Sequence, residues 1–151
     1  MSTPLIQTNN LKKYFKTPRG LLHAVDGVNI AIEKGQTLGV VGESGCGKST
    51  LGRVVLRLLD ATDGEVLYNG DNILAYSKDQ MIDMRKRMQI IFQDPYASLN
   101  PRMTVSEIIA EPIKVNKTIH GNDNIMAKVY ELMETVGLAD RFVNTYPHEL
   151  D

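Results

Sequence analysis

The chain has 151 residues, of which 42% are hydrophobic and 23% charged, as is typical of one soluble globular domain. Its net charge of -1 gives no electrostatic reason to expect binding to nucleic acid or to an anionic membrane surface. The single cysteine, Cys46, excludes an internal disulfide framework and a four-cysteine zinc site. We find no basic-then-apolar leader and no apolar run of bilayer length, and therefore expect no direct membrane span.

The first third of the chain predicts an antiparallel sheet layer. A short strand is expected at residues 5–8, and residues 28–32 alternate with the period of two that a half-buried strand shows. Between them, Tyr14 and Phe15 stand beside several cations in a predicted turn. Either aromatic could stack on a nucleotide base, but spacing alone favours partly exposed aromatics that cover the end of a strand.

The next stretch fits the phosphate-binding pattern G-x-x-x-x-G-K-[ST]. Residues 37–41 before it have the composition of a buried parallel strand, and residues 49–59 after it have helical spacing, which is the context that a P-loop requires. The glycines permit a tight turn whose N–H groups, with the positive end of the helix, hold a polyphosphate. The predicted nucleotide-binding loop consists of Gly42, Glu43, Ser44, Gly45, Cys46, Gly47, Lys48, Ser49 and Thr50.

Individual residues of this loop have predicted roles toward ATP and Mg²⁺. Lys48 is expected to reach the β- and γ-phosphates, Ser49 to ligate Mg²⁺, and Thr50 to contact the α-phosphate or cap the first helical turn. Cys46 is expected to act through its backbone N–H, and a redox role for its thiol is the less favoured alternative. The alternative for the whole loop is a glycine-rich turn that binds no ligand.

The chain then returns to the sheet. Residues 65–68 read as a strand followed by an Asn69-Gly70 turn, and residues 77–86 as a helix opened by a capping box. Residues 88–92 are a short apolar run that predicts another strand. Gln93 leaves that strand in a polar, proline-bounded segment, from which it could reach a metal or a water; spacing alone favours a loop amide bonded to its own turn.

The remaining third is predicted to be helical. Thr104 and Glu107 form a second capping box ahead of an isoleucine stripe, and Pro112 is expected to kink or end that helix. A polar linker over residues 114–124 leads to a second helix, which Gly137 ends, and a short helix is expected around residues 140–144. The three histidines show no metal-ligand spacing, so we expect the chemistry to come from phosphates and Mg²⁺.

Together the motifs resemble the ATP-binding subunits of ABC transporters, and most closely the dipeptide/oligopeptide importer group. The resemblance rests on residues 40–51, 91–102 and 146–150, and it covers nearly the whole chain. It implies an α/β P-loop NTPase core of the ABC ATPase type, with an antiparallel β layer and a helical subdomain. On this basis the nucleotide-binding core is placed in residues 1–100 and the start of the helical subdomain in residues 101–151.

The resemblance also changes the interpretation of individual side chains. Phe15, or less closely Tyr14, matches the aromatic that stacks on adenine. Gln93 matches the loop glutamine that contacts Mg²⁺ or the attacking water and touches the membrane subunit. Lys48 and Gln93 are therefore the predicted catalytic residues, and Ser49 and Gln93 the predicted metal ligands.

The implied function is ATP binding and hydrolysis coupled to peptide import. The implied partners are transmembrane permease subunits and a second ATP-binding subunit, at the cytoplasmic face of the membrane, or the cytoplasm if the fragment is free. In the family the Tyr-Pro-His-Glu-Leu stretch runs into a Ser-Gly-Gly signature, and Asp151 stands where that serine is expected. The signature, the Walker B aspartate, the catalytic glutamate and the switch histidine lie outside this sequence, so the chain alone is expected to bind nucleotide without efficient hydrolysis.

Three alternatives remain at the level of the sequence. One is a non-catalytic interaction module that docks on a membrane subunit, and another is a fragment with no independent role. The third is a different P-loop phosphotransferase, against which Gln93-Asp94-Pro95 argues. The resemblance further implies that the family's remaining core strands lie between the P-loop strand and the Gln93 strand, so both strands are expected to expose apolar edges here.

Overall fold

The computed structural model describes residues 3–150, apart from the side chains of Pro95 and Tyr96, so Asp151 lies outside the described residues. The chain divides into two compact units, one ending at Ile90 and the other beginning at Ile91. The functional division expected at residue 100 stays a prediction.

The first unit is built on a four-stranded antiparallel sheet with the strand order β2-β1-β3-β4. The strands are β1 (Ile6–Thr17), β2 (Gly20–Ile32), β3 (Asp63–Tyr68) and β4 (Asp71–Asn72). This confirms the predicted antiparallel layer. The predicted turn around Tyr14 and Phe15 is wrong, because β1 continues through both residues and the turn closes at Thr17, which pairs with Gly20.

From residue 3 onward the first unit also contains two α-helices, α1 (Lys48–Val55) and α2 (Lys78–Arg85), together with a 3-10 turn at Ile73–Ala75. The capping box predicted at Ser77 is confirmed, since both of its reciprocal hydrogen bonds are present. The sheet and helices enclose a core of buried residues, which comprises Leu11, Val25, Val54, Val66, Ile73, Met81 and Met84.

Helix α1 ends four residues before the predicted end at Leu59. Arg57 adopts the left-handed conformation with φ 52°, and its N–H donates to the Val54 carbonyl at 2.9 Å. The N–H of Leu58 donates to the Arg53 carbonyl at 2.8 Å. These two bonds form a Schellman motif, which satisfies the last carbonyls of the helix and turns the chain away from its axis.

Two predicted strands, residues 37–41 and residues 88–92, are not strands in the structure. A β-strand requires hydrogen bonds to a neighbouring strand, and no described strand pairs with either segment. Their apolar side chains therefore remain accessible, with Val41 94% and Ile91 96% exposed. Both predictions were wrong because apolar composition gives a segment a preference for the strand conformation but does not supply the neighbouring strand with which it must pair.

Over its described residues, the second unit contains three α-helices, α3 (Pro95–Ser98), α4 (Val105–Val115) and α5 (Asn122–Thr135), and 3-10 turns at Asp140–Phe142 and Pro147–Glu149. The two longer predicted helices and the capping box at Thr104 are confirmed. Helix α4 continues three residues past Pro112, and the proline carbonyl accepts the Asn116 N–H at 3.0 Å. The predicted linker is shortened accordingly, and the predicted helix at residues 140–144 is a single 3-10 turn.

Helices α4 and α5 pack on a second core of buried residues, which comprises Val105, Ala110, Ile113, Ile125, Val129 and Met133. Gly137 ends α5 as predicted, with φ 73° and a 3.0 Å bond from its N–H to the Glu134 carbonyl. The N–H of Val105 donates to the Thr145 carbonyl at 2.9 Å, which ties the first turn of α4 to the last residues of the chain. Among the described helices, none has both the length and the apolar content to cross a membrane.

Candidate nucleotide-binding site

The glycine-rich loop before α1 requires glycine at particular positions. Gly45 and Gly47 lie in the left-handed region with φ 82° and 97°, where a side chain is strained. A Cβ on Gly42 would stand 2.7 Å from the sulfur of Cys46. The N–H of Cys46 donates to the Glu43 carbonyl at 3.3 Å and closes the turn. The loop is thus compact, and its shape depends on Gly42, Gly45 and Gly47.

Gly47 also fixes the loop against the sheet. A Cβ added to Gly47 would stand 2.0 Å from the carbonyl oxygen of Ala24 in β2. Gly47 is the N-cap of α1 and immediately precedes Lys48. The close backbone contact therefore places the start of α1 beside the β1-β2 hairpin that carries both candidate aromatic residues.

The ammonium group of Lys48 lies over the loop. Its Nζ donates to the carbonyl oxygens of Gly42 at 2.7 Å and Glu43 at 2.6 Å, and it lies 3.6 Å from the Cys46 sulfur. A charged donor held by two backbone carbonyls needs no change of backbone to exchange them for stronger anionic acceptors. The predicted phosphate ligand Lys48 is thus placed at the loop that the sequence pattern assigned to phosphate.

The N-terminal turn of α1 directly follows this loop. The N–H of Leu51 donates to the Gly47 carbonyl at 2.8 Å, so the N–H groups of residues 48–50 precede the helical hydrogen-bond ladder. They form the positive end of the helix dipole. Ser49 is exposed, Thr50 is partly buried, and no described residue forms a side-chain hydrogen bond with the Ser49 hydroxyl.

These features fit a nucleotide phosphate with its magnesium ion. Amide donors, one ammonium group and a helix N-terminus suit a polyphosphate, and an available hydroxyl oxygen is a ligand that Mg²⁺ accepts when nucleotide phosphates and water supply the rest. In the part of the chain that the structure describes, no group of three or more His, Cys, Asp or Glu residues is placed to hold a metal ion without a nucleotide phosphate as a further ligand.

Phe15 and Tyr14 lie on opposite faces of the hairpin. Phe15 pairs with Leu22 and Tyr14 with His23, and consecutive residues of a strand point to opposite faces. The Lys13 ammonium lies 5.1 Å from the centre of the Phe15 ring. The Tyr14 ring is instead stacked on His23, with the ring centres 3.9 Å apart and the planes 17° from parallel.

Tyr14 is further tied to Asp26, a residue that the sequence analysis did not identify. The Tyr14 hydroxyl donates to one carboxylate oxygen of Asp26, and the His23 Nδ1 lies 3.2 Å from the other. The hydrogen bonds from Tyr14 and, secondly, His23 lower the pKa of Asp26, and the same bond to Asp26 raises the pKa of Tyr14. Only strand register brings these residues together, so no spacing in the sequence indicates the contact.

Gln93 belongs to the second unit. It is exposed in the segment before α3, and the neighbouring Asp94 accepts a hydrogen bond from the Ala97 N–H at 3.1 Å. The polar, proline-bounded segment expected after residue 92 is therefore present as a loop leading into a short helix. The predicted contact of Gln93 with Mg²⁺ stays a prediction.

Comparison with known proteins identifies the family. A family model described as "ABC transporter" matches residues 25–150. The oligopeptide transport ATP-binding protein OppF of Bacillus subtilis is 53% identical over 150 residues, which cover 99% of this chain and 49% of that protein. The dipeptide transport ATP-binding protein DppF of Haemophilus influenzae is 44% identical over 153 residues, covering 97% and 46%. The chain spans about half the length of these curated relatives.

Solved structures agree with the sequence relatives. The dimeric, post-hydrolysis structure of the ATP-binding cassette MJ0796 bound to ADP and Pi matches with a TM-score of 0.80 and 26% identity, covering 97% of this chain and 63% of that one. A structure described as cbiO1 from Clostridium perfringens, part of the ABC transporter complex cbiONQ, matches with a TM-score of 0.72 and 23% identity, covering 99% of this chain and 56% of that one, which shows a shared fold. The resemblance inferred from the motifs is confirmed, and the chain belongs to the ABC transporter family.

Proposed function

We propose that this chain is the ATP-binding part of an ABC-type peptide importer and that it binds ATP with Mg²⁺ through residues 42–50. One observation carries the proposal: the Lys48 ammonium lies over the same loop that leads into the positive end of α1. Two independent sources of positive potential thus act on one short stretch of backbone. That arrangement favours a ligand with several negative oxygens.

Each residue of the loop has a role in this proposal. The backbone N–H groups and the α1 N-terminus bind the phosphate oxygens, and Lys48 exchanges its carbonyl partners for the β- and γ-phosphates. The Ser49 hydroxyl holds Mg²⁺, which neutralises phosphate charge when bound. Phe15 stacks on the adenine, supported by its place on the hairpin that contacts Gly47 through Ala24.

Hydrolysis by this chain alone is proposed to be slow. Gln93 is assigned the contact with Mg²⁺ or the attacking water, by its match to the family's loop glutamine. The proposal rests on the family resemblance, which places the catalytic glutamate and the second metal-side carboxylate after the Tyr-Pro-His-Glu-Leu stretch, and phosphoryl transfer depends on that positioned charge. We therefore propose that this chain binds nucleotide but hydrolyses it slowly.

Peptide import and its partners belong to the proposal at the level of the whole protein. Its support is that OppF and DppF are named as oligopeptide and dipeptide transport ATP-binding proteins and that the MJ0796 cassette is described as dimeric. We assign this chain transmembrane permease subunits and a second ATP-binding subunit as partners. Its proposed location is peripheral, at the cytoplasmic face of the membrane.

The experiment is an equilibrium titration of the chain with a fluorescent ATP analogue, with and without Mg²⁺. Lys48→Ala should weaken binding by about tenfold or more, because a charged hydrogen bond to phosphate contributes about 1.5–3 kcal/mol. Lys86→Ala is the matched control, since it removes an exposed lysine whose ion pair, among the described residues, is with Asp83 in α2. Equal affinity of the wild type and Lys48→Ala would refute the assigned site, and phosphate release at the rate of a complete cassette would refute slow hydrolysis.

A further inference from the structure

Three side chains of the β1-β2 hairpin form a cluster that the proposed nucleotide contacts do not use. They are Tyr14 of β1 and His23 and Asp26 of β2, and we refer to them as the hairpin clamp. One carboxylate, Asp26, contacts both rings: it accepts the Tyr14 hydroxyl and lies 3.2 Å from the His23 Nδ1. The two rings are stacked with their centres 3.9 Å apart. A single exposed carboxylate thus holds two rings from two strands.

The clamp spans an irregularity in the sheet. Lys13 pairs with Val25 and the next residue, Tyr14, pairs with His23, so Ala24 has no partner on β1. Ala24 is therefore the extra residue of a β-bulge, whose backbone groups are released from the ladder. His23 precedes Ala24 and Asp26 follows it along the strand, and their side chains contact each other across the bulge.

The bulged residue is also the one that meets the phosphate loop. The Ala24 carbonyl oxygen would stand 2.0 Å from a Cβ on Gly47, a contact that only glycine permits. Gly47 precedes Lys48 and caps α1, so a displacement of Ala24 would be passed to the first N–H groups of the helix. Val25, which follows Ala24, is 4% exposed and anchored in the core, so the bulge can move mainly on its His23 side.

We infer that Tyr14, His23 and Asp26 are positioning residues for nucleotide binding, which hold the bulge at Ala24 so that its carbonyl keeps Gly47 and the α1 N-terminus in register for phosphate. The inference rests on the proposed function of the loop. It gives Tyr14 a role through its hydroxyl rather than as a base-stacking ring. The lowered pKa of Asp26 is consistent, because it shows that the contacts favour the ionised carboxylate.

The test uses the same nucleotide titration on variants of the whole chain. Asp26→Ala removes both contacts and is expected to weaken binding about three- to tenfold, the equivalent of about one ordinary hydrogen bond. Asp26→Asn is the rescue variant, because its amide can accept from Tyr14 and still pair with His23; it should bind like the wild type. Asp83→Asn, which removes a comparable exposed ion-pair carboxylate in α2, should also bind like the wild type.

Tyr14→Phe separates positioning from stacking and from folding. The substitution keeps the Tyr14 ring and its stacking on His23 but removes the hydroxyl. If Tyr14 is a positioning residue, nucleotide binding should weaken. If its ring stacks on the base, nucleotide affinity should not change. If Asp26→Ala loses its native circular dichroism, Tyr14→Phe decides the question. Wild-type affinity in Tyr14→Phe and in a folded Asp26→Ala, while Lys48→Ala is weakened, overturns the clamp and leaves the proposed function standing. Wild-type affinity in Lys48→Ala overturns both.

Discussion

The guanidinium of Arg57 donates a hydrogen bond of 2.6 Å to the carbonyl oxygen of Tyr76. The same nitrogen donates to the Ile73 carbonyl at 3.1 Å, so the residue that ends α1 also holds the 3-10 turn before α2. Arg57 is partly buried in a left-handed conformation that is uncommon for residues other than glycine. One side chain therefore joins the end of the P-loop helix to the turn before α2.

Arg57→Ala is expected to lower the free energy of unfolding by about 1.5–3 kcal/mol, because two carbonyls lose a charged donor. Urea denaturation followed by circular dichroism measures the change. Arg53→Ala, on the same helix but exposed, is the control and should change the free energy by less than about 0.5 kcal/mol. Equal effects of the two substitutions would show that the Arg57 bonds do not hold the turn.

Gly47→Ala is expected to abolish nucleotide binding and to destabilise the chain by about 2 kcal/mol or more. A Cβ at this position meets the Ala24 backbone at 2.0 Å and requires a strained φ of 97°. Gly52→Ala is the matched control within α1, where a Cβ meets nothing within 4 Å. It should stabilise the chain by about 0.5–1 kcal/mol, since alanine is the better helix former. Titration and thermal unfolding of both variants test the pair, and retained binding in Gly47→Ala would contradict it.

Thr104→Ala is expected to destabilise the second unit by about 1 kcal/mol. Thr104 caps α4 through the Glu107 N–H, while the Glu107 carboxylate accepts the Thr104 N–H at 2.8 Å. Thr135→Ala removes a hydroxyl that bonds the Glu131 carbonyl near the end of α5, where alanine compensates by helix propensity. Amide hydrogen exchange in α4 should rise only in Thr104→Ala; unchanged exchange there would argue against the cap.

Acid should weaken the first unit through Asp63. The hydrogen bond from Lys12, at 3.1 Å, and then the Gly64 N–H lower the pKa of Asp63. Because its folded pKa lies below its unfolded value, the stability it contributes is present above the unfolded value and is lost as pH falls through the folded pKa. Stability should therefore decline less steeply below about pH 4 in Asp63→Asn than in the wild type. Lys12→Ala should flatten the same profile, and parallel profiles in all three proteins would exclude this ion pair as a cause.

Much of the local structure was predictable because the determining contacts are close in sequence. The capping boxes at Ser77 and Thr104 join residues three apart, and Gly137 ends α5 through bonds to the preceding turn. The phosphate loop was likewise recognisable, since its glycines and Lys48 interact within seven residues. The predicted boundaries of elements in the same regions were wrong. Helix α1, for example, ends early because the chain leaves the helical conformation at Arg57, which has a positive φ.

The sequence by itself determined the family, the glycine-rich loop and the starts of α2 and α4, since these depend on residue types at fixed short spacings. Only the tertiary structure decided that Tyr14 meets His23 and Asp26 and that Ala24 presses on Gly47, because strand register and a bulge set those contacts. It also decided that residues 37–41 form no strand here, since a strand exists only with a hydrogen-bonded neighbour. Contacts between residues close in sequence can be predicted from the sequence, whereas the pairing between strands is decided only when the chain folds.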